Sequence, residues 1–428
     1  MKENGLKIVF LMPRFSVPFP GACWKRIGYI ASYFSKAKQR VRIVASAELG
    51  WHRKKFSIHG VNVLNLLPPT NQKFRPIRYI MAFLSCIYTT TLLTFFGGDV
   101  VILSLPQGGS ESIIYIFGTF AACRILGKRI VFDYRDEWEN YLLNMAKSGI
   151  TRFLCKVLKD IAMMLYIKSD LTVAVTPSYC EYLRRNGVRR VCFIPNGADV
   201  VLFRPLNKEE TRARMKLPPR WFIVLYSAGM HVAPYYSPEV LLKAFKEFVM
   251  TGKRSNVRLV LFGGSEKIQQ LLRLADMMGL SNKVVYLGVK KSDQEIIEVI
   301  ASSDVAVIPY GDKPLYKGAY PLRFFEYLAC GIPVIASGFA DSLLAKIINS
   351  YQVGLVVPPT DEGRLTEALE KMYLDKEFRE EAGRRGRVLV EKQFDKNKLA
   401  ADYLKLLNPS AKTISSHSID MVSVVSDN

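Results

Sequence analysis

The sequence predicts an α/β protein of two Rossmann-like, doubly wound domains, each a parallel sheet covered by helices. Three observations carry the prediction. Short β-branched runs alternate with helical stretches twice over, first between Lys7 and Ile194 and again between Phe222 and Leu407; crossover helices between parallel strands produce that alternation. The chain has 428 residues, too many for one ordinary core and suited to two of about 200. Of those residues 49% are apolar, enough to fill two cores and to exclude global disorder.

The first domain is expected over residues 1–204. Lys7 to Met12 reads as its opening strand, followed by a proline-rich loop at Pro13 to Gly21 and a helix from Ala22 to about Lys36. Val41–Ala45, Val61–Leu66, Val100–Leu103 and Ile130–Tyr134 are further strands, with helical stretches at Pro76–Phe96 and Ser112–Leu126. Ligands of doubly wound sheets gather at the carboxyl ends of strands, which singles out Pro13–Gly21 and the turn after Tyr134. That turn, Asp133-Tyr134-Arg135-Asp136-Glu137-Trp138, crowds charge at a strand end. Two uses are open to it: a functional site, or an N-cap in which Asp136 precedes a helix begun by Glu137 and Trp138. Ile150–Lys168 is an amphipathic helix with a basic face, Leu171–Val175 a strand, and Ser178-x-x-Glu181 a capping box for the next helix. Val191–Ile194 leads into Pro195-Asn196-Gly197-Ala198-Asp199, where Asn-Gly signals a turn because both residues accept positive φ.

A linker from Arg204 to about Arg220 opens the second domain, expected over residues 205–393. Its strands are Phe222–Ser227, Val257–Phe262, Val284–Leu287, Val305–Pro309 and Gly354–Val357. Ser237-Pro238 starts one helix and Ser292-x-x-Glu295 caps another. Helices follow at Glu362–Leu374 and Lys376–Gln393, and a last one near 394–407 is placed to cross back to the first domain. The Ser-rich tail 408–428 is expected to be disordered.

The most informative stretch is Tyr316 to Ser337. Pro321 is pre-set for the first position of a helix expected to run to about Cys330; Gly331 then ends it, and Val334 begins a buried strand. Gly318, just upstream, lets backbone approach a ligand. A helix opening on such a loop presents unpaired N–H groups and a positive dipole end to an anion. Arg323 in the first turn opposes that dipole and makes sense facing an anion. Glu326, one turn deeper, can accept from two neighbouring sugar hydroxyls. The competing use is an amphipathic helix with Glu and Arg on its wet face.

Charge is uneven. Residues 1–205 hold 29 lysines and arginines against 12 acids, whereas residues 206–428 hold 31 against 26. The first domain therefore seeks an anionic partner. No nucleic-acid module accompanies the basic stretches, so nucleic acid is not expected. An anionic membrane surface fits better: Arg53, Lys54 and Lys55 follow Trp51, and Arg75 and Arg78 introduce Ile80–Phe96, 17 positions without a charge. That run is short of the roughly 20 residues a spanning helix needs, so it is expected to be a helix of the first domain lying at the lipid interface. No signal peptide is recognisable at the N-terminus. Seven cysteines without a Cys-x-x-Cys pair and four histidines point to reduced thiols and no metal site.

Taken with these residues, the stretch ending Glu326…Gly331-Ile332-Pro333-Val334-Ile335-Ala336 resembles the donor-binding motif of the retaining family-4 glycosyltransferases. Pro195-Asn196-Gly197-Ala198-Asp199, with Phe203 and Pro205 in step, resembles the element closing their first domain, and Asp133-Tyr134-Arg135-Asp136-Glu137-Trp138 is also similar to theirs. The resemblance covers nearly the whole chain and implies the GT-B fold, in which two such domains face one cleft. It implies transfer of a sugar, with retention, from a nucleotide-sugar such as a UDP- or GDP-sugar, without metal or further cofactor. Glu326 would bind the ribose; Gly229, His231, Lys317, Gly318, Tyr320, Pro321, Leu322 and Arg323 would surround the diphosphate. Leu287 and Val289 would meet the base, Gly21 the sugar, and Asp136 with Arg135 the acceptor or reacting centre. The sequence departs from the family at two places. Gly318 stands where many members carry a second glutamate, and no Arg or Lys follows Gly229 before Lys243. Phosphate charge then falls to Arg323, with Lys317 or Lys313, through the guanidinium's paired donors. The expected acceptor is a lipid-linked or cell-envelope glycan, met by a peripheral protein at the cytoplasmic face of a membrane. A nucleotide-sugar epimerase of similar fold and a non-catalytic membrane-associated subunit are the alternatives.

Overall fold

The computed structural model describes the whole chain except residues 1–4, 15–16, 18–21, 48–54, 59, 69–73, 106–108, 228–235, 265, 291, 320 and 409–428. It divides into two units: one takes the chain to Pro195 and returns at Asn397, and the other runs Asn196–Lys396.

The first unit opens with β1 (Lys7–Met12), α1 (Ala22–Lys36), β2 (Arg40–Ser46), β3 (Lys55–Ile58) and β4 (Val61–Leu67). It continues through α2 (Arg75–Phe96), β5 (Val100–Leu105), α3 (Ser112–Ile125) and β6 (Arg129–Tyr134). Then come α4 (Trp138–Met145), α5 (Gly149–Ile167), β7 (Leu171–Ala174), α6 (Pro177–Arg185) and β8 (Val191–Phe193). The strand order is β3-β4-β2-β1-β5-β6-β7-β8. All pairs are parallel except β3, which folds back antiparallel on β4. Val9, Val101, Leu103, Ile130 and Phe132 fill the core beneath α2–α6, and the near-continuous burial of β5 and β6 fits a sheet covered on both faces.

The second unit contains α7 (Lys208–Arg214), β9 (Phe222–Ser227), α8 (Pro238–Thr251), β10 (Val257–Phe262), α9 (Glu266–Met277) and β11 (Val284–Tyr286). After α10 (Asp293–Ala301) and β12 (Val305–Pro309) come a 3-10 helix at Pro314–Gly318, α11 (Leu322–Ala329) and β13 (Val334–Ser337). The unit closes with α12 (Leu343–Tyr351), β14 (Gly354–Val357), α13 (Glu362–Leu374) and α14 (Lys376–Gln393). Its six strands are all parallel, in the order β11-β10-β9-β12-β13-β14. α15 (Lys396–Leu407) belongs to the first unit, where Tyr403 meets Phe34 edge-on at 6.0 Å and Arg129 donates to the Leu407 carbonyl at 2.6 Å.

Several local expectations are corrected. The helix expected to start at Ser178 is capped by Thr176, which accepts from Tyr179 N–H; Pro177 takes the first helical position because it has no N–H to leave unpaired. Among the described residues of positive φ, Asn196 and Gly197 are absent. The chain turns instead on Asp199, whose carboxylate accepts from Val201 and Leu202. The linker contains α7, capped by Asn207 and buried through Arg212, which shares the Asp304 carboxylate with Lys208 and Ile223 N–H. Finally, α11 begins at Leu322, and Pro321 is its extended N-cap.

One ion pair fastens the first unit. Arg26 of α1 holds Asp133 of β6 at 2.9 Å, the two 5% and 0% exposed. The same guanidinium donates to the carbonyls of Ile194 and Pro195, where the chain leaves the unit. Replacing Arg26 by Leu strands the Asp133 charge in the core, and breaking a buried pair this way costs about 3–5 kcal/mol. Urea denaturation of Arg26→Leu should show a loss of that size; a change within about 0.5 kcal/mol, as at an ordinary surface site, would contradict it.

Candidate active site

The two halves of the second sheet are wound in opposite directions from β9, so the topological switch point lies between β9 and β12. Ligands of such sheets sit outside the strand carboxyl ends at that point. β9 ends at Ser227 and β12 leads into the 3-10 helix and α11, so the end of β9 and that segment flank the position. Gly229 and His231, and Tyr320 with them, lie outside the described residues.

Around α11 the side chains interlock. Tyr327 donates to Ser227 Oγ at the end of β9 at 2.8 Å, and the Arg323 guanidinium lies 5.3 Å from the ring of Phe262, at the end of β10. The helix is thus pinned across the carboxyl ends of two strands. Glu326 is fully buried and paired with Arg323, Nη1 to Oε2 2.5 Å. The competing sequence use, a wet amphipathic face, is overturned for Glu326: the carboxylate points inward. Burial works against the Arg323 charge, but the Glu326 carboxylate more than offsets it and the guanidinium pKa moves up. Pro321 supplies no capping side chain, which leaves the helix mouth to other partners.

Other candidates are placed less favourably for a phosphate. Lys317 is held by Asp341 at 2.7 Å and lies over the ring of Phe339. Gly318 closes the 3-10 helix. Leu287 N–H is spent on the Leu261 carbonyl and Gly288 accepts from Gly263, so the backbone there is partly committed to the sheet edge. Val289, half exposed, faces Gly264, where a Cβ would meet its methyl at 2.7 Å. Sequence reading missed a ladder of three tyrosines. Tyr236 stacks on Tyr310 at 5.2 Å and Tyr310 on Tyr316 at 6.0 Å, tying the entry to α8 to the 3-10 helix. The spacing of single tyrosines carried no signal for it.

In the first unit the charged turn after β6 separates into two parts. Asp133 is structural, locked to Arg26. The N-cap of α4 is Glu137, not Asp136, so the capping use of Asp136 is overturned. Asp136 keeps solvent access yet is crowded by protein; desolvation lifts its carboxyl to about 6, against the pull of Arg135. Three residues on, Glu139 is 1% exposed and accepts from Tyr134 Oη at 3.0 Å, and burial pushes it up to about 8. Gly21 lies outside the described residues. Among the described residues, no three His, Cys, Asp or Glu side chains gather as metal ligands. A cavity of about 830 Å³ lies in the second unit between α14 and Pro205–Leu206. No donor candidate lines it, and its Arg385 and Arg387 already pair with Glu381 and Glu391.

The parallel-sheet units, with a carboxylate–guanidinium pair at the switch point of the second sheet, define a doubly wound α/β class. Comparison with known proteins narrows it. Residues 207–389 match the family described as glycosyl transferases group 1. D-inositol 3-phosphate glycosyltransferase of Rhodococcus jostii is 28% identical over 208 residues, 47% of this chain and 43% of the relative, so the match spans less than half the relative's length. Sucrose-phosphate synthase of Thermosynechococcus elongatus superposes with a TM-score of 0.74 at 17% identity, over 93% of this chain and 97% of that one. HepE of Anabaena, solved with UDP-glucose, gives 0.68 at 16%, over 94% and 100%. At such identities the likeness is one of fold, the GT-B fold of two Rossmann-like domains.

Glu139 has a consequence for stability. Its folded pKa is raised above the usual glutamate value, so between about pH 4.5 and 8 the native state holds a proton the unfolded chain releases. The raised group therefore favours folding at low pH, and stability falls as pH rises through that window. Glu139→Gln keeps an acceptor for Tyr134 and removes the titration. Denaturation at stepped pH should show wild type losing stability relative to Glu139→Gln, on the order of a few kcal/mol by pH 8; parallel profiles would contradict it.

Proposed function

We propose that the protein is a retaining, metal-independent glycosyltransferase. It moves a sugar from a nucleotide-sugar to a lipid-linked or cell-envelope glycan acceptor at the cytoplasmic face of a membrane. The observation that carries this reading is the Arg323–Glu326 pair at the start of α11 beside the switch point, its carboxylate buried and its guanidinium half-buried. The family match over residues 207–389 and the UDP-glucose bound by HepE support it.

Donor binding exchanges partners within the pair. Two adjacent ribose hydroxyls donate to Glu326, and Arg323 turns to the diphosphate, joined by the amides at the α11 mouth. In the transfer step the bond from the anomeric carbon to the diphosphate breaks and a bond to the acceptor oxygen forms on the same face. The acceptor proton passes to the departing diphosphate, whose charge Arg323 and the helix mouth offset. Asp136 and Arg135, in the first unit, are the residues this reading gives to the acceptor.

Calorimetric titration with UDP-, GDP- and ADP-sugars tests the donor part. Wild type should bind one class, and Glu326→Gln or Arg323→Ala should each weaken it by roughly 10- to 100-fold, as loss of a charge-assisted hydrogen bond implies. No binding to any, or unaltered binding by both variants, would refute it. Product analysis then separates transfer from epimerisation: a glycosylated acceptor is expected, and only an isomerised nucleotide-sugar would exclude transfer.

A further inference from the structure

α2 is amphipathic the wrong way round for a helix in water. Over most of its length its inward face is small and partly polar: Ala82 and Ser85 are fully buried and Thr89 is 5% exposed, and large buried side chains enter only at Leu92 and Leu93 near its end. Its outward face is large and apolar, with Ile80 56%, Phe83 60% and Ile87 51% exposed, and Ile77, Leu84 and Tyr88 share that side at helical spacing. A surface helix normally does the opposite.

The threonines on the helix agree. Thr90, Thr91 and Thr94 each donate the hydroxyl to the carbonyl four residues back, at 2.9, 3.0 and 2.9 Å. Hydroxyls turned onto their own helix satisfy themselves without water. The face also continues sideways. α3 packs closely on α2 at Gly118, where a Cβ would collide with Cys86 Sγ, and exposes Phe117 and Ile125. α5 packs on the other side of α3. Its first turns expose Ile150, Phe153, Leu154 and Val157 at i, i+3, i+4 and i+7, with Arg152 and Lys156 exposed among them.

α2 is long and apolar enough to cross a bilayer by composition, yet it runs from β4 to β5 of one parallel sheet. A spanning helix would be surrounded by lipid, whereas α2 packs along α3 and β4 and buries Ala82, Ser85, Thr89 and Leu93 inside the unit. We infer that the face formed by α2, α3 and the start of α5 docks flat on an anionic bilayer. Its apolar side chains enter the acyl boundary, while Arg152, Lys156 and Lys147 meet the headgroups. This names the membrane contact within the proposed function and stands apart from the donor chemistry.

Flotation of the full chain with vesicles tests it, using phosphatidylcholine alone and phosphatidylcholine mixed with phosphatidylglycerol. Wild type should float with the mixed vesicles. Phe83→Ser with Ile87→Ser, and separately Arg152→Glu with Lys156→Glu, should each weaken that binding about tenfold or more. All these side chains are exposed, so thermal unfolding and nucleotide-sugar titration should be unchanged; a failed flotation leaves the donor site untouched, and a failed titration leaves the docking face untouched. Wild type that stays at the bottom, or a double-serine variant that floats like wild type, overturns the inference. So does a lipid-free dimer in sedimentation equilibrium that the double-serine variant dissolves, since the occupant would then be a second copy.

Discussion

The second unit turns on one buried ion pair. A carboxylate with no solvent access is tolerable only when paired, because an isolated charge costs far more to desolvate than the fold can spare. Arg323 meets that need for Glu326, and the rest of α11 is arranged to hold both. Tyr327 ties the helix to β9, Phe262 lies near the guanidinium, and Gly331 at φ 74° lets the chain turn out of the helix into β13. A pair of this kind is preorganised and exchangeable at once. In the proposed reaction a ribose and a diphosphate replace each charge's partner, so neither is left bare.

Much of this was legible in the sequence, and the misses have physical causes. Alternating apolar runs and helices fixed the two sheets, because burial on both faces demands continuous β-branched strands. α7 escaped notice since Lys208–Arg214 has no apolar periodicity; it is held by the carboxylate of Asp304, nearly a hundred residues away. β3 is four residues long, and its antiparallel return has a single turn signal, Gly60 at φ 78°. At the site, Arg323 and Glu326 were each singled out, but their mutual pairing was not. Spacing of three places them on one helix face without saying that the face is buried. Asp133 was read with Asp136 as one charged turn, and alternation along the strand separates them: one goes into the core with Arg26, the other stays at the sheet's end.

The first unit shows the complementary lesson about hydrophobicity. Ile80–Phe96 stood out as an apolar run, and composition alone could not distinguish core, span or interface. The folded backbone decides by showing which side of α2 the large residues occupy. Apart from Leu92 and Leu93 at its end, they face outward, over a buried face of alanine, serine and threonine. Together with a basic first half, that gives the unit a surface suited to lipid, while the second unit carries the features suited to a nucleotide.

A crystal structure of the complex with its nucleotide-sugar tests the central claim most directly. The account predicts both ribose hydroxyls within hydrogen-bond distance of the Glu326 carboxylate, about 2.5–3.0 Å, and the Arg323 guanidinium moved from Glu326 to the diphosphate. A nucleotide bound elsewhere, with the Arg323–Glu326 pair still closed, would contradict it.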